Sequence, residues 1–269
     1  MKISIIGVGY VGLVTGLCFA EKGHSVVAYD INKKIVDKIN DKKLPIYEPK
    51  LKKILNKNIN KNFYCTNNLQ NAIFNSDITF VTVPTPYTKK GFDLKYIRLA
   101  STNIAKILNI KNMKHLVVFK STILPDTCDK IIIPLFKNKL KKQIYKKTSF
   151  AFNPEFLREG SAVNDFMHPD RLVLGANNKK TFSILKEVYS SFNFDNILTT
   201  NIKTAEMIKY ASNAFFANLI SFSNEIANLS STLENVDSKD VIHGLKLDNR
   251  FYTKIKNNFI YPSLISYID

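Results

Sequence analysis

The sequence has no tryptophan and only three cysteines, Cys18, Cys65 and Cys128, in 269 residues. An odd, widely spaced set is neither a disulfide framework nor a zinc site, and it suits a reducing cytoplasm. Nine glycines and nine prolines exclude a collagen-like chain, and no low-complexity linker is present. Long hydrophobic runs are scarce as well. The best, Ile3 to Ala20, is uncharged but is broken by Gly7, Gly9, Gly12 and Gly16, and no small-residue cleavage site follows before Glu21 and Lys22. It reads as a glycine turn entering a helix rather than a signal peptide or a membrane span, which needs about 20 apolar residues. No other run approaches that length, so no membrane partner is expected.

Acidic residues are the next shortage: 22 Asp and Glu stand against 39 Lys and Arg, a net charge of +17. Such a field favours anionic partners. The densest run is Lys137, Lys139, Lys141, Lys142, Lys146 and Lys147, interrupted only by Tyr145. A nucleic-acid footprint interleaves arginines and aromatics, so this run reads as a solvated lysine face and no nucleic-acid partner is expected. The remainder, 45% hydrophobic and 12% aromatic, is ordinary globular composition. A chain of this length buries roughly 70–75% of its unfolded surface, enough for a sizeable core without staples.

Short apolar runs alternate with amphipathic ones. Lys2–Val8, His24–Asp30, Ile78–Val83, Leu116–Phe119 and Ser149–Phe152 read as strands, with helices over Val11–Lys22 and Lys33–Asn40. Continuous apolar strands joined by helices predict an α/β fold, a Rossmann-type doubly wound parallel sheet with right-handed crossovers. From Thr204 to about Thr232 there is neither Gly nor Pro, and Met207, Ile208, Ala211, Phe215, Leu219, Phe222, Ile226 and Leu229 keep a helical period. That helix has a thin polar face, so a partner helix or second subunit is expected to cover it. The boundary is placed near residue 200: a nucleotide-binding domain over 1–200 and a helical dimerisation segment over 201–269.

Gly7-Val8-Gly9-Tyr10-Val11-Gly12 is a G-x-G-x-x-G between a strand and a helix, and Asp30 closes the next strand 18 residues after Gly12. In that setting the glycines permit a tight turn, backbone approach to a pyrophosphate and close helix–strand packing. The helix N-terminus offers free N–H groups to the phosphates. Asp30 suits the adenosine ribose hydroxyls and repels a 2′-phosphate, which predicts NAD rather than NADP as cofactor.

A second constellation is more specific. It runs Asn153-Pro154-Glu155-Phe156-Leu157-Arg158-Glu159-Gly160-Ser161-Ala162-Val163, then Asp165 and His168-Pro169-Asp170-Arg171. Pro45-Ile46-Tyr47-Glu48-Pro49, Val83-Pro84-Thr85-Pro86, Lys120-Ser121-Thr122, Lys209 with Asn213, and Gly244 to Arg250 accompany it. In this order the motifs resemble the UDP-glucose/GDP-mannose dehydrogenase family over the whole chain. The His168–Arg171 ending is similar to the branch acting on UDP-glucose, while members acting on GDP-mannose share the first part.

The resemblance implies a dimeric enzyme that oxidises a primary alcohol of a nucleotide sugar to a carboxylate with two NAD per turnover. It places Glu155, Lys209, Asn213 and Thr122 around the reacting carbon. Lys209 and Asn213, at i and i+4, share one helix face. An ammonium and an amide there can stabilise an alkoxide or tetrahedral oxyanion, and Glu155 suits a general base. Gly7, Gly9, Tyr10, Val11, Gly12, Asp30, Thr85, Thr122 and Glu159 would serve NAD. The backbone of Phe156, Leu157 and Arg158, with Lys209, Asn213 and Arg250, would serve the nucleotide sugar, Arg250 across a homodimer interface formed by the 204–232 helix. Taken singly, Glu155 and Glu159 could instead cap a helix near Pro154, and Lys209 could snorkel from an apolar helix. Glu206, one turn before Lys209, reads as a surface ion-pair partner.

The chain also departs from the family pattern. The family's second oxidation needs a cysteine in a Gly-Gly-x-Cys-x-Pro-Lys-Asp segment after the position of Arg250. The 269 residues instead end Tyr261-Pro262-Ser263-Leu264-Ile265-Ser266-Tyr267-Ile268-Asp269. The expectation is an incomplete chain without the family's C-terminal UDP-binding domain, limited to the first oxidation or to NAD and subunit binding. Cys18 within the first helix, Cys65 before a loop and Cys128 beyond Thr122 read as structural. Ile35 stands where the family usually carries a basic residue.

Overall fold

The computed structural model describes residues 1–248 apart from Lys90, Asn193 and Asp195, together with the backbone of 254, 255, 258 and 259. Two compact units divide the chain, Met1–Ala211 and Ser212–Asp269.

The first unit is built on one sheet. Its strands are β1 (Lys2–Ile6), β2 (Ser25–Tyr29), β3 (Phe63–Thr66), β4 (Ile78–Val81), β7 (His115–Phe119), β8 (Thr148–Phe152), β9 (Leu172–Ala176) and β10 (Ile197–Thr200), with a small β5–β6 hairpin (Tyr87–Thr88, Gly91–Phe92) beside it. The order is β10-β9-β8-β7-β4-β1-β2-β3. From β3 to β8 every pairing is parallel, as the apolar runs predict. The expectation of an all-parallel sheet fails at one seam: β9 meets β8 antiparallel, Ala151 opposite Ala176 and Phe152 opposite Gly175. β10 then runs parallel to β9. Cys65 lies near the end of β3, before the short loop that leads into the Leu69–Phe74 helix.

Both faces of the sheet are covered at β1, β4, β7 and β9, which is why these strands are buried apart from Lys2, whereas β10 is exposed. One core gathers Ile3, Ile5, Val26, Phe80 and Val118 under α1 (Tyr10–Glu21), with α2 (Lys33–Asn40), α3 (Leu51–Asn58), α8 (Ala162–Met167) and α9 (Lys179–Tyr189) beyond. The other gathers Ile6, Val81, Val117, Phe119 and Phe152 with α5 (Lys95–Lys111) and α6 (Ile133–Lys139), which a π-turn (Cys128–Ile132) precedes. The short α4 (Leu69–Phe74) and α7 (Lys142–Tyr145) complete the unit. Every residue of α1 from Gly12 to Ala20 is buried, so this helix needs no polar stripe.

At the start of β7 a buried polar chain replaces apolar packing. His115 Nε2 meets Thr79 Oγ1 at 2.7 Å, Thr79 meets Ser4 at 2.7 Å, and Ser76 donates to Ser4 at 2.9 Å. Lys111 closes it, with Nζ donating to the carbonyls of Ile73 (2.8 Å) and Ser76 and lying 3.3 Å from His115 Nδ1. Burial, helped by the Lys111 charge, holds the His115 ring neutral down to about pH 3.

The helix expected over 204–232 is α10 (Ile202–Ser231), whose length crosses from the first unit into the second. Within the second unit it exposes Phe215, Phe216, Leu219, Ile220 and Phe222. The unit continues with α11 (Ser238–Lys246), capped by Asp237 accepting from the Lys239 N–H at 2.7 Å. Lys254–Ile255 and Asn258–Phe259 form a short antiparallel pair, β11 and β12.

Candidate active site

Five parallel strands deliver the candidate residues to one edge, because each loop follows the carboxyl end of its strand. After β1 the chain must turn sharply. Gly7 does so at φ +96°, its N–H donating to the Tyr29 carbonyl at 2.8 Å. Gly12 must be glycine for another reason: a Cβ there would stand 1.9 Å from the Gly7 oxygen. Thr82, just past β4, braces the turn by donating to the carbonyls of Gly7 (2.8 Å) and Ile6 (3.1 Å).

Gly7, Gly9 and Thr82 wall a cavity of about 640 Å³ that reaches Tyr10, Val11, Asp30, Thr85, Thr122, Lys120 and Glu155. Asp30 accepts from the Val8 N–H at 2.9 Å and from the Asn32 N–H at 2.8 Å, so its carboxylate is fixed at the end of β2. Thr85 donates to the Thr122 carbonyl at 2.5 Å, tying the loops after β4 and β7 together. The residues present fit a dinucleotide. Gly9 lines the cavity, and a methyl group built there meets no atom within 4 Å, so the bare backbone leaves room for a pyrophosphate.

A smaller cavity of about 130 Å³ lies alongside, lined by Glu155 to Arg158, by His168 to Leu172 and by Lys120. Glu155 and Lys120 therefore face both spaces. Glu155 pairs with Lys209 at 2.9 Å, and both side chains are largely buried, 13% and 6% exposed. Its other oxygen accepts from the Leu157 N–H at 2.8 Å. Phe156 lies between two cations, Arg171 at 4.1 Å and Lys209 at 5.3 Å from its ring centre.

Lys120, quoted in a motif but given no role from sequence, is a central group here. It is buried, and its Nζ donates to Asn153 Oδ1 at 3.0 Å; Asn153 in turn accepts from the Tyr189 hydroxyl at 2.5 Å and donates to the Val173 carbonyl at 2.8 Å. Burial draws the Lys120 ammonium down to about pH 7; Glu155 opposes that and Lys209 adds to it. The signal was a lysine at the end of an apolar strand, where a solvated side chain is not expected.

Glu48 was missed in the same way. Only 3% exposed, it accepts from the Tyr10 hydroxyl, from the Gly160 N–H at 3.0 Å and from the Val163 N–H at 3.4 Å. It thereby joins the glycine-turn helix to the Glu159–Ser161 loop. Burial and the Glu48 bond push the Tyr10 hydroxyl up to about 12.

Other expected residues stand apart. Glu159 is exposed and does not line the large cavity. The Arg158 side chain is exposed and engaged by Asp165, at 2.7 and 3.1 Å, and its N–H also goes to Asp165. With the Leu157 N–H given to Glu155, two of the three backbone donors expected to meet a substrate are satisfied internally. Asn213 is exposed on α10 in the second unit, and Arg250 lies outside the described residues.

Glu206 is a correction. It is fully buried, not a surface ion-pair partner, and accepts from the Asp126 and Cys128 N–H groups at 2.6 and 2.8 Å. A carboxylate facing the free N–H groups where a helix begins is favourable even when desolvated. All three thiols are buried. Burial pushes Cys65 up to about 12 and raises Cys18 and Cys128 further. None lines either cavity. Among the described residues no helix is long and apolar enough to cross a membrane, and no cluster of His, Cys, Asp or Glu could hold a metal.

Known proteins resemble this chain in sequence and fold. Residues 1–193 match the NAD-binding domain of the UDP-glucose/GDP-mannose dehydrogenase family, and residues 203–265 match its central domain. A UDP-glucose 6-dehydrogenase of Haloferax volcanii is 40% identical over 93% of this chain and 59% of its own length. One from Rickettsia conorii is 40% identical over 97% of this chain and 57% of its own. A GDP-mannose dehydrogenase structure from Pseudomonas aeruginosa superposes with a TM-score of 0.88 at 34% identity, over 94% of this chain and 59% of that one. A UDP-glucose dehydrogenase from Pyrobaculum islandicum gives 0.85 at 37%, over 92% and 57%. The chain thus spans somewhat more than half the length of these relatives. With its glycine turn, its mostly parallel sheet and matches to both family domains in order, it belongs to the UDP-glucose/GDP-mannose dehydrogenase family.

Proposed function

We propose that this site carries out the UDP-glucose 6-dehydrogenase reaction, oxidising the C6 alcohol of UDP-glucose with NAD. The observation that carries the reading is the Lys209–Glu155 pair, buried at 2.9 Å, with Glu155 and Lys120 facing both the dinucleotide-sized cavity and the smaller one beside it. NAD supplies the hydride acceptor when bound. Glycines 7, 9 and 12 shape its phosphate turn, Asp30 meets its ribose, and Tyr10, Val11, Thr85, Thr122 and Glu159 complete the cofactor side. Lys209, with Asn213 one turn on, holds the sugar oxygen and stabilises the charge that develops there as the C6 hydrogen leaves with its electron pair. Glu155, freed from Lys209 as the substrate oxygen takes its place, accepts the hydroxyl proton. Phe156, Leu157, Arg158 and Arg250 serve the nucleotide sugar. UDP-glucose is favoured over GDP-mannose by the curated relatives, both UDP-glucose 6-dehydrogenases, although the Pseudomonas aeruginosa GDP-mannose dehydrogenase superposes as well.

The chain divides functionally near residue 200, and the apolar face of α10 in the second unit, with Phe215, Phe216 and Leu219 exposed, forms a homodimer. A narrower reading is favoured by the thiols. Continuing from aldehyde to carboxylate requires a nucleophile that holds the aldehyde. The three cysteines of these 269 residues are buried, raised in pKa and outside both cavities. Incubated with NAD and UDP-glucose, this chain should release at most the aldehyde, identified by mass spectrometry. Sustained UDP-glucuronate formation at two NADH per sugar would overturn the narrower reading. Absence of both products, with no NAD binding by calorimetry, would overturn the dehydrogenase reading.

A further inference from the structure

The opposite end of the sheet carries a second surface. From Leu94 to Thr148 the sequence has thirteen Lys and Arg but only two Asp and no Glu, eleven of the chain's seventeen net positive charges. The fold brings part of this charge to that end, whereas Lys120 lies at the active-site edge. At the end of α5, Asn109 donates to the Lys139 carbonyl at 2.8 Å and accepts from the Lys141 N–H at 2.8 Å. Lys147 Nζ donates to Asn112 Oδ1 at 3.0 Å, and its carbonyl accepts from the His115 N–H. These bonds draw the end of α5, the α6–α7 corner and the approach to β8 into one face. Lys114, Lys139, Lys141, Lys142 and Lys146 are all exposed on these segments. Beside them two apolar side chains face solvent, Ile110 at 65% and Met113 at 57% exposure.

We propose that this face docks the protein onto an anionic lipid surface. A planar array of lipid phosphates is met by many mobile point charges, each adding a small increment, and lysine supplies them. Ile110 and Met113, exposed at the end of α5 next to Lys114, suit the boundary between headgroups and acyl chains. A nucleic acid would call for forked guanidinium donors and stacking rings. The whole chain has four arginines, of which this stretch holds Arg98 alone, and Tyr145 is half-buried against Phe150. The expected solvated lysine face thereby acquires a partner, by docking rather than by a spanning helix. β7 and β8 both begin at this face and end at Lys120 and Asn153, so docking leaves the active-site edge directed away from the lipid.

The test is co-sedimentation of the full chain with vesicles of equal parts phosphatidylcholine and phosphatidylglycerol, against phosphatidylcholine alone. The protein should partition to the anionic vesicles only, less so as salt rises. Replacing Lys114, Lys141, Lys142 and Lys146 with Gln should lower partitioning by on the order of a hundredfold at low salt. A control with the same charge loss, Lys33, Lys34, Lys50 and Lys89 to Gln, exposed on the segments that follow β2 and β4 and beside Glu48 at the active-site edge, should change it by less than about threefold, as expected for charges held off the surface. Ile110→Ser with Met113→Ser should weaken vesicle binding severalfold and leave binding to duplex DNA unchanged. Thermal unfolding of each variant confirms that it is folded. Equal losses in both quadruple variants would reduce the effect to net charge and overturn the proposal. So would duplex DNA binding tighter than the vesicles bind, with no response to the Ile110 and Met113 changes.

Discussion

Strand β7 has a buried lysine near each end, and the two differ in what surrounds their nitrogens. Lys111, just ahead of the strand, is saturated: two carbonyls and the His115 ring take its three donors. Lys120, just past the strand, has both of its acceptors on Asn153, at 3.0 and 3.4 Å, lies 5.7 Å from the Phe166 ring centre, and borders two cavities. Burial lowers both ammonium pKa values. The contrast separates a buried charge whose donors are all used from one with a donor to spare beside a cavity. A charge whose donors are all used holds segments together, here α5, α4 and the start of β4. One whose donors are incompletely used, beside a carboxylate and an empty space, is available to chemistry.

The largest effect expected at the active-site end belongs to Lys209→Ala. Any aldehyde-forming activity should fall by a hundredfold or more, the usual consequence of losing an oxyanion donor worth about 3 kcal/mol, as read by NADH appearance. Next comes the direct comparison of the two lysines. Lys111→Met should cost about 2–3 kcal/mol in urea unfolding, because two buried carbonyls lose their donor, and should leave NAD affinity intact. Lys120→Met should cost under about 1 kcal/mol, since Asn153 keeps its Tyr189 partner, yet should impair turnover. Equal stability losses with equal turnover would dissolve the distinction.

The acid side sharpens it. Folded His115 stays neutral to about pH 3, whereas an unfolded ring protonates near 6.5. Between those values the unfolded state binds more protons, so stability contributed by the neutral ring is present above pH 6.5 and is lost as pH falls toward 3. His115→Gln should flatten that portion of the stability–pH curve relative to the natural protein, in chemical unfolding at stepped pH. Smallest is Asp30→Ala, which should weaken NAD binding by about tenfold and narrow its margin over NADP, measured by calorimetry. NADP binding tighter than NAD to the unmodified chain would remove the role given to Asp30.

Much of this was legible in the residues. The runs Lys2–Val8, His24–Asp30 and Ile78–Val83 could only be strands covered on both faces, and α2 occupies Lys33–Asn40 as the periodicity predicts. The glycine turn and Asp30 came together where their spacing required. β3, β9 and β10 were not read: Tyr64 and Thr66 in β3 and Thr199 and Thr200 in β10 break their apolar runs, and the Gly175-Ala176 end of β9 also suits a loop. The antiparallel seam was invisible too, since two residue pairs leave no signature in the chain.

Composition and pattern thus determined the class of fold, the cofactor turn and the family. They decided these because each depends on local spacing: apolar runs of strand length, glycines at fixed intervals, a carboxylate closing the next strand. Only the tertiary structure decided which charged residues are buried and what they touch. Glu48 and Glu206 resemble surface glutamates in sequence, but their partners lie 38 to 115 and 78 to 80 residues away. Lys120 and Lys111 are two lysines among thirty-five until the fold supplies Asn153 to one and the Ile73 and Ser76 carbonyls to the other. Burial of a charge is settled by long-range contacts, and no local pattern encodes them.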